Sequence, residues 1–444
     1  MTVITPQNPD PNMAPPAEIR DSPMNWILKN LLTPWYNALI TLIIVGIFGY
    51  WFYGFSSWAL TEPLQTIRTD LIHNQFILKK FLSKILLVLL FWVPDHPNPA
   101  QWPVIPANLH LFGVGRYPDE QYWRLWILAS IIVIFAGISW GTIARNTANI
   151  FSRNTLIGLG VSAFVAFIFP IPFPYRLGII GLLLVLAIAA WGGQEISRRI
   201  PGLGKFVGLN WFLVYIIGLW LIGGGFGLES ISTSRWGGLM LTVLMATISL
   251  ALCFPIGVLL ALGRQSALPV IRLFSVVYIE LVRGIPLIAV LFMGQVMIPL
   301  FLPEGMRPDR VLRAIIGLTL FSAAYVAEDV RGGLQAIPRG QAEASKALGL
   351  NPALTTSLIV LPQALKAVIP AIVGQFISRF QDTTLLSIVG VEEFLGISRS
   401  VLANPNFLGR ASEVLLFNGL GFWIFCYAMS AGSRYIEKRL NTTH

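Results

Sequence analysis

The chain has 444 residues, 55% of them hydrophobic and 12% charged, whereas a soluble domain spends about a quarter of its residues on charge; with a mean hydropathy of +0.70, this excludes a water-soluble globular protein. Its net charge of +10, from 31 Lys and Arg against 21 Asp and Glu, lies in short loops with no basic stripe interleaved with aromatics. That is the positive-inside pattern of a polytopic membrane protein and excludes a nucleic-acid partner.

Residues 1–25 carry six Pro among Asn, Asp and Ser and lack the apolar core of a signal peptide, so 1–30 is expected to be a disordered cytoplasmic tail. A spanning helix needs about 20 mostly apolar residues. The first such run is 36–59. Segment 60–121 then breaks the pattern with Pro, His, Asp and three Lys, and is expected on the periplasmic side; its apolar stretch Ile85 to Val93 is too short to span. Further runs at 124–140, 155–171, 176–191, 211–226, 237–263, 284–302, 311–330, 367–392 and 414–433 bring the expectation to about ten spans in an all-α polytopic protein.

The runs divide into an N-terminal transmembrane region, 31–235, and a second region, 236–435, followed by a tail at 436–444. With both termini cytoplasmic, Arg145 and Arg153, Arg198, Arg199 and Lys205, the segment 331–350, and Arg434, Lys438 and Arg439 all fall inside. Trp58, Trp140, Trp191, Trp211 and Trp236 sit near span ends, as interfacial anchors do.

The chain has no catalytic, cofactor or metal motif. His73, His96, His110 and His444 are too scattered for a zinc helix, and Gly202 to Lys205 lacks the phosphate-loop spacing, with Phe206 where a hydroxyl belongs. No nucleophile elbow surrounds any Ser. Cys253 and Cys426, both in apolar runs, offer neither a disulfide framework nor a metal site.

The polar segment 331–363 is the informative one. Pro338 and Gly340 open a turn, and Glu343 is placed in the first turn of a short Ala-rich helix. Gly349 is its positive-φ stop, and Asn351 with Pro352 caps and starts a second short helix. A helix of two turns is marginal alone and needs a partner. It is either a peg for a groove on another protein or an ordinary capped interhelical loop.

The string Glu343, Ala344, Ser345, three residues, Gly349, nine residues, Ile359, one residue, Leu361, Pro362 resembles the EAA loop of bacterial ATP-binding-cassette (ABC) importer permeases, with Ser345 replacing the second Ala. The strings at 280–287, 324–333 and 382–391 resemble the polar and general L-amino acid branch, of type I. The resemblance implies a non-enzymatic bacterial inner-membrane subunit that pairs with a second permease, usually a paralogue, over an ABC ATPase dimer that binds ATP and Mg. A periplasmic amino-acid-binding protein would deliver substrate. Gln341, Glu343, Ala344, Ser345, Gly349 and Pro362 would then meet the ATPase.

Glu280 and Arg283, three apart, are expected to pair with each other, whereas the resemblance implies an interfacial helix, 269–283, that opens an inner gate, with Gly284 and Pro286 allowing a bend. Glu328, Asp329 and Arg331 are expected to pair locally at a span end. Arg379, Asp382, Thr383 and Thr384 interrupt an apolar run and are expected to line the translocation path, though an Arg379–Asp382 salt bridge is an equal alternative. Met293 and Met297 are expected only to fill gaps in the bundle. An ion-coupled secondary transporter is the competing reading; it would carry its coupling carboxylates near the bilayer midplane.

Overall fold

The computed structural model describes residues 35–73, 100–146, 150–168, 172–225, 227–303 and 305–441, besides Met24 and Leu31. Apart from Met24, the expected N-terminal tail lies outside the described residues, as does the stretch Ile85 to Val93. The chain forms two compact units, Met1–Gln101 and Trp102–His444. Among the described residues the first holds one long helix, α1 (Trp35–His73).

The second unit opens with two short helices, Val104–Ala107 and Leu109–Val114, followed by α2 (Tyr122–Ile143), α3 (Arg153–Ile168), α4 (Phe173–Arg199) and α5 (Val207–Gly223). There follow α6 (Gly238–Arg264), α7 (Pro269–Gly284), α8 (Leu287–Phe301) and α9 (Arg310–Ala336). The chain closes with α10 (Arg339–Ala347), α11 (Pro352–Ser387), α12 (Phe394–Leu402) and α13 (Ala411–Asn441). Each of the ten apolar runs falls on a helix. Among the described residues seven are long and apolar enough to cross a membrane alone, α3 and α5 are shorter, and α7 with α8 form one pair bent by 105°. The bend has a local cause: Ile285, which precedes Pro286, is forced to extended backbone (φ −102°, ψ 136°) and cannot continue α7.

Close packing in α2 and α4 rests on glycine. A Cβ on Gly141 would lie 2.1 Å from the Ala190 carbonyl oxygen, and one on Gly193 would lie 2.7 Å from the Ile138 backbone, so these helices meet through their backbones. In the C-terminal region α9 is the central helix. It is 67% buried over its apolar window, against 39% for α6 and 11% for α11, and it presents Ala314, Ala323, Ala324 and Ala327 to its neighbours.

Several expectations need correction. The second short helix after Gly349 is the start of the span itself: α11 runs from Pro352, and its 3₁₀ end closes at Ser387, not at 392. It passes Pro362 through a π-turn at Thr355–Val360, which accommodates the missing N–H and the ring. Trp236 is no surface anchor but is buried in a cluster with Tyr117, Ile222 and Leu241. Met293 and Met297 lie on a π-turn of α8 and are 48% and 47% exposed, so they fill no gap within this chain. The expected C-terminal tail is helical as far as Asn441.

Candidate functional site

Residues 337–351 join α9 to α11 and hold α10 away from the bundle core. Pro338 is the N-cap, so α10 begins at Arg339. Glu343 therefore falls in the second turn, not the first, because Gly340 is already helical. At the other end Gly349 has φ 80°, the Leu350 N–H donates to the Ser345 carbonyl at 3.1 Å and the Gly349 N–H to Lys346 at 2.9 Å. Together these bonds form a Schellman stop. Asn351 then accepts from the Leu354 N–H at 2.9 Å and caps α11.

α10 has two faces. Ser345 is buried, with its hydroxyl 2.9 Å from the Ala342 carbonyl and 2.9 Å from Thr355 Oγ1. It braces α10 against α11 and is turned away from any partner. Gln363 adds a second brace by donating to Gln341 at 3.3 Å. Glu343, Ala344, Lys346, Ala347 and Gly349 are exposed, Pro362 is exposed at the start of the regular part of α11, and Leu348 is 82% exposed. The arrangement is a rigid rod with a polar and small-residue face tipped by one bare leucine.

Behind the rod, charge ties three helices together. Glu280 pairs with Arg264 of α6 at 2.9 Å, and Arg283 approaches Glu328 of α9 at 3.7 Å. The expected Glu280–Arg283 pair does not form because α7 lies against α6 and α9, whose charges compete successfully. Arg264 also reaches Glu328 at 3.5 Å, and Arg331 pairs with Glu328 one turn away. The expected local pairing is therefore present for Glu328 and Arg331, although α9 runs on to Ala336 instead of ending beside them. Asp329 Oδ2 is buried without a hydrogen-bond partner, so Asp329 does not share in it.

Further along α9, Tyr325 lies 5.7 Å beneath Arg283 and 4.6 Å beneath Arg379, whose guanidinium also covers Phe321 at 4.9 Å. Arg379 donates to Asp382 at 2.7 Å and to Gln375 at 3.3 Å. The salt-bridge alternative is thus the observed geometry, while its Nε atom stays buried and unpartnered. Thr383 is fully buried and donates to the Phe380 carbonyl, and Thr384 donates to Gln381. These hydroxyls donate to the backbone where α11 tightens to 3₁₀, beside the charged pair Arg379 and Asp382. Sequence reasoning missed Arg264, Phe321, Tyr325 and Gln375; only the polar marks Arg264 and Gln375 at a span end and one turn before Arg379 signalled any of them.

At the end of the bundle remote from α10, Glu393 precedes α12 and is fully buried, accepting from the Leu395 and Gly396 N–H groups at 2.9 and 2.7 Å. Burial pushes its carboxyl from 4.5 up to about 7. Between those values the folded chain holds a proton that the unfolded chain has released, so stability falls as pH rises through the window, by on the order of 3 kcal/mol. The thermal midpoint of the native chain is expected to drop between about pH 5 and about pH 8, whereas Glu393→Gln, which keeps an accepting oxygen, is expected to stay level. Scanning fluorimetry of both in detergent checks this, and parallel curves contradict it.

Residues 253–442 match the family described as binding-protein-dependent transport system inner membrane component. The inner membrane amino-acid ABC transporter permease protein YhdY of Escherichia coli (strain K12) is 42% identical over 421 residues, covering 94% of this chain and 93% of its own length. The glutamate/glutamine/aspartate/asparagine transport system permease protein BztC of Rhodobacter capsulatus is 33% identical over 446 residues, covering 98% and 97%. A crystal structure of an amino acid ABC transporter with histidines is similar over 46% of this chain and 92% of its own, at 26% identity and a TM-score of 0.42. Since the first two similarities run through the N-terminal region as well as the C-terminal one, the whole chain belongs to the amino-acid ABC transporter permeases and is the membrane-spanning permease subunit of an importer.

Proposed function

We propose that this subunit carries amino acids released by a periplasmic binding protein through the inner membrane, driven by an ABC ATPase dimer that seats α10. The observation that carries this reading is the braced, capped rod with exposed Leu348 standing between two spans. The rod end would be cytoplasmic, with both termini on that side, in keeping with the Lys and Arg distribution. ATP and Mg would reside on the ATPase, and a second permease, most simply a paralogue, would complete the path; no catalysis is assigned to this chain. An ion-coupled carrier has no use for such a rod.

Mechanically, closure of the ATPase dimer would displace α10. Only Ile337 and Pro338 separate α10 from α9, and Glu328 links α9 to α6 and α7, so the displacement would reach the bent α7–α8 pair as a rigid-body motion. Glu280 and Arg283 would act there as gate residues, and Arg379 and Asp382 would meet the carboxylate and ammonium of the passing solute. The test is uptake of labelled amino acids by proteoliposomes holding the copurified complex and its binding protein. Uptake is expected to require ATP inside and to ignore an imposed ion gradient; gradient-driven uptake without ATP would contradict the reading.

A further inference from the structure

The end of the bundle remote from α10 holds a cavity of about 530 Å³, within the ~300–1,000 Å³ usual for small-molecule sites. Four arginines, Arg116, Arg235, Arg310 and Arg313, are among its lining residues, against two acidic residues, Asp309 and Glu392. Both carboxylates are already engaged. Glu392 pairs with Arg116 at 2.8 Å, and Asp309 accepts from the Val311 N–H at 3.0 Å as the cap of α9. The lining therefore keeps an excess of positive charge.

Among the described residues, Arg235, Arg310 and Arg313 pair with no carboxylate; Arg310 donates to the Gly390 carbonyl at 3.3 Å and Arg313 to the Gln295 carbonyl at 2.6 Å. A solute that carries negative charge offsets these excess cations, and the planar guanidinium fork suits a carboxylate best.

The N-terminal region helps to build this site. The short helix Leu109–Val114 packs Phe112 edge-on to Phe394 at 6.2 Å and sets Arg116 at the rim, where it holds Glu392. We propose that this cavity is a recognition site for the carboxylate of a small anionic solute at the outer mouth, with acidic amino acids the class it favours. It rests on the import reading for its outer location and for the solute class. A concentrated positive field at the mouth would also raise the local concentration of such a solute before it reaches Arg379.

The test measures binding of labelled L-glutamate, with L-glutamine as its neutral counterpart, to the permease–ATPase complex in nanodiscs without binding protein. The native complex is expected to prefer glutamate, and Arg235→Gln, an exposed position, is expected to weaken glutamate about tenfold while glutamine is unchanged. Arg313→Gln is expected to do the same, and Arg313→Lys to retain charge but lose part of the preference. If Arg313→Gln fails to assemble, Arg235→Gln still decides. No preference in the native complex, or an unchanged glutamate affinity in Arg235→Gln, overturns the proposal. So does a parallel titration of the binding protein onto both complexes in which Arg235→Gln weakens only that protein's binding, which would make the cavity a dock for its acidic side chains. Failure of the native chain to copurify with any ATPase would instead sink the import reading and this site with it.

Discussion

Leu348→Asp is expected to leave the permease at its normal level in the membrane and to lower ATP-driven uptake about a hundredfold. Leu348 is 82% exposed, so the change costs this chain little by itself. If α10 seats in the ATPase as proposed, the leucine would lose its water there. Burying it contributes about 1.5–3 kcal/mol, and an unpaired carboxylate in its place adds a desolvation cost of the same sign. Leu348→Met, which keeps an apolar tip of similar volume, is expected to retain most uptake. Equal uptake by Leu348→Asp and the native protein would mean that the tip of α10 touches nothing during the cycle.

Arg379→Ala carries the second large effect, and it separates two roles for one residue. Removing Arg379 leaves Asp382 without its partner in a half-buried site, which costs about 3–5 kcal/mol in comparable buried pairs. The single variant is therefore expected to lose both membrane level and uptake. Arg379→Ala combined with Asp382→Asn removes both charges, and its level in the membrane is expected to recover. Uptake in the double variant is expected to stay about tenfold or more below native, because the guanidinium over Tyr325 and Phe321 would no longer meet the solute. Recovery of uptake along with protein level would assign the pair to structure alone.

What was legible in the sequence follows the reach of each interaction. The stop of α10 at Gly349 and the cap at Asn351 depend on bonds spanning five residues or fewer, and the sequence shows them directly. Apolar runs locate every span because the bilayer sets their length, whichever helices become neighbours. The inward turn of Ser345 toward Thr355 depends on how α10 leans on α11, and no local rule contains that. The partners of Glu280 and Arg283 were misread for the same reason, since Arg264 and Glu328 are near only after α6, α7 and α9 pack. The second short helix at Pro352 looked separate from the span because the π-turn that carries the helix past Pro362 leaves no mark of its own in the residues.

The most direct measurement is oxidative cross-linking of Ala344→Cys, made in a chain carrying Cys253→Ala and Cys426→Ala, to single cysteines placed along the ATPase surface groove. A cross-link to the ATPase is expected in inside-out vesicles, with its yield changing when ATP is added. A membrane-impermeant thiol reagent applied to intact spheroplasts is expected to leave the introduced thiol unmodified. Labelling from outside, or cross-linking to no nucleotide-hydrolysing subunit at any groove position, would contradict the account.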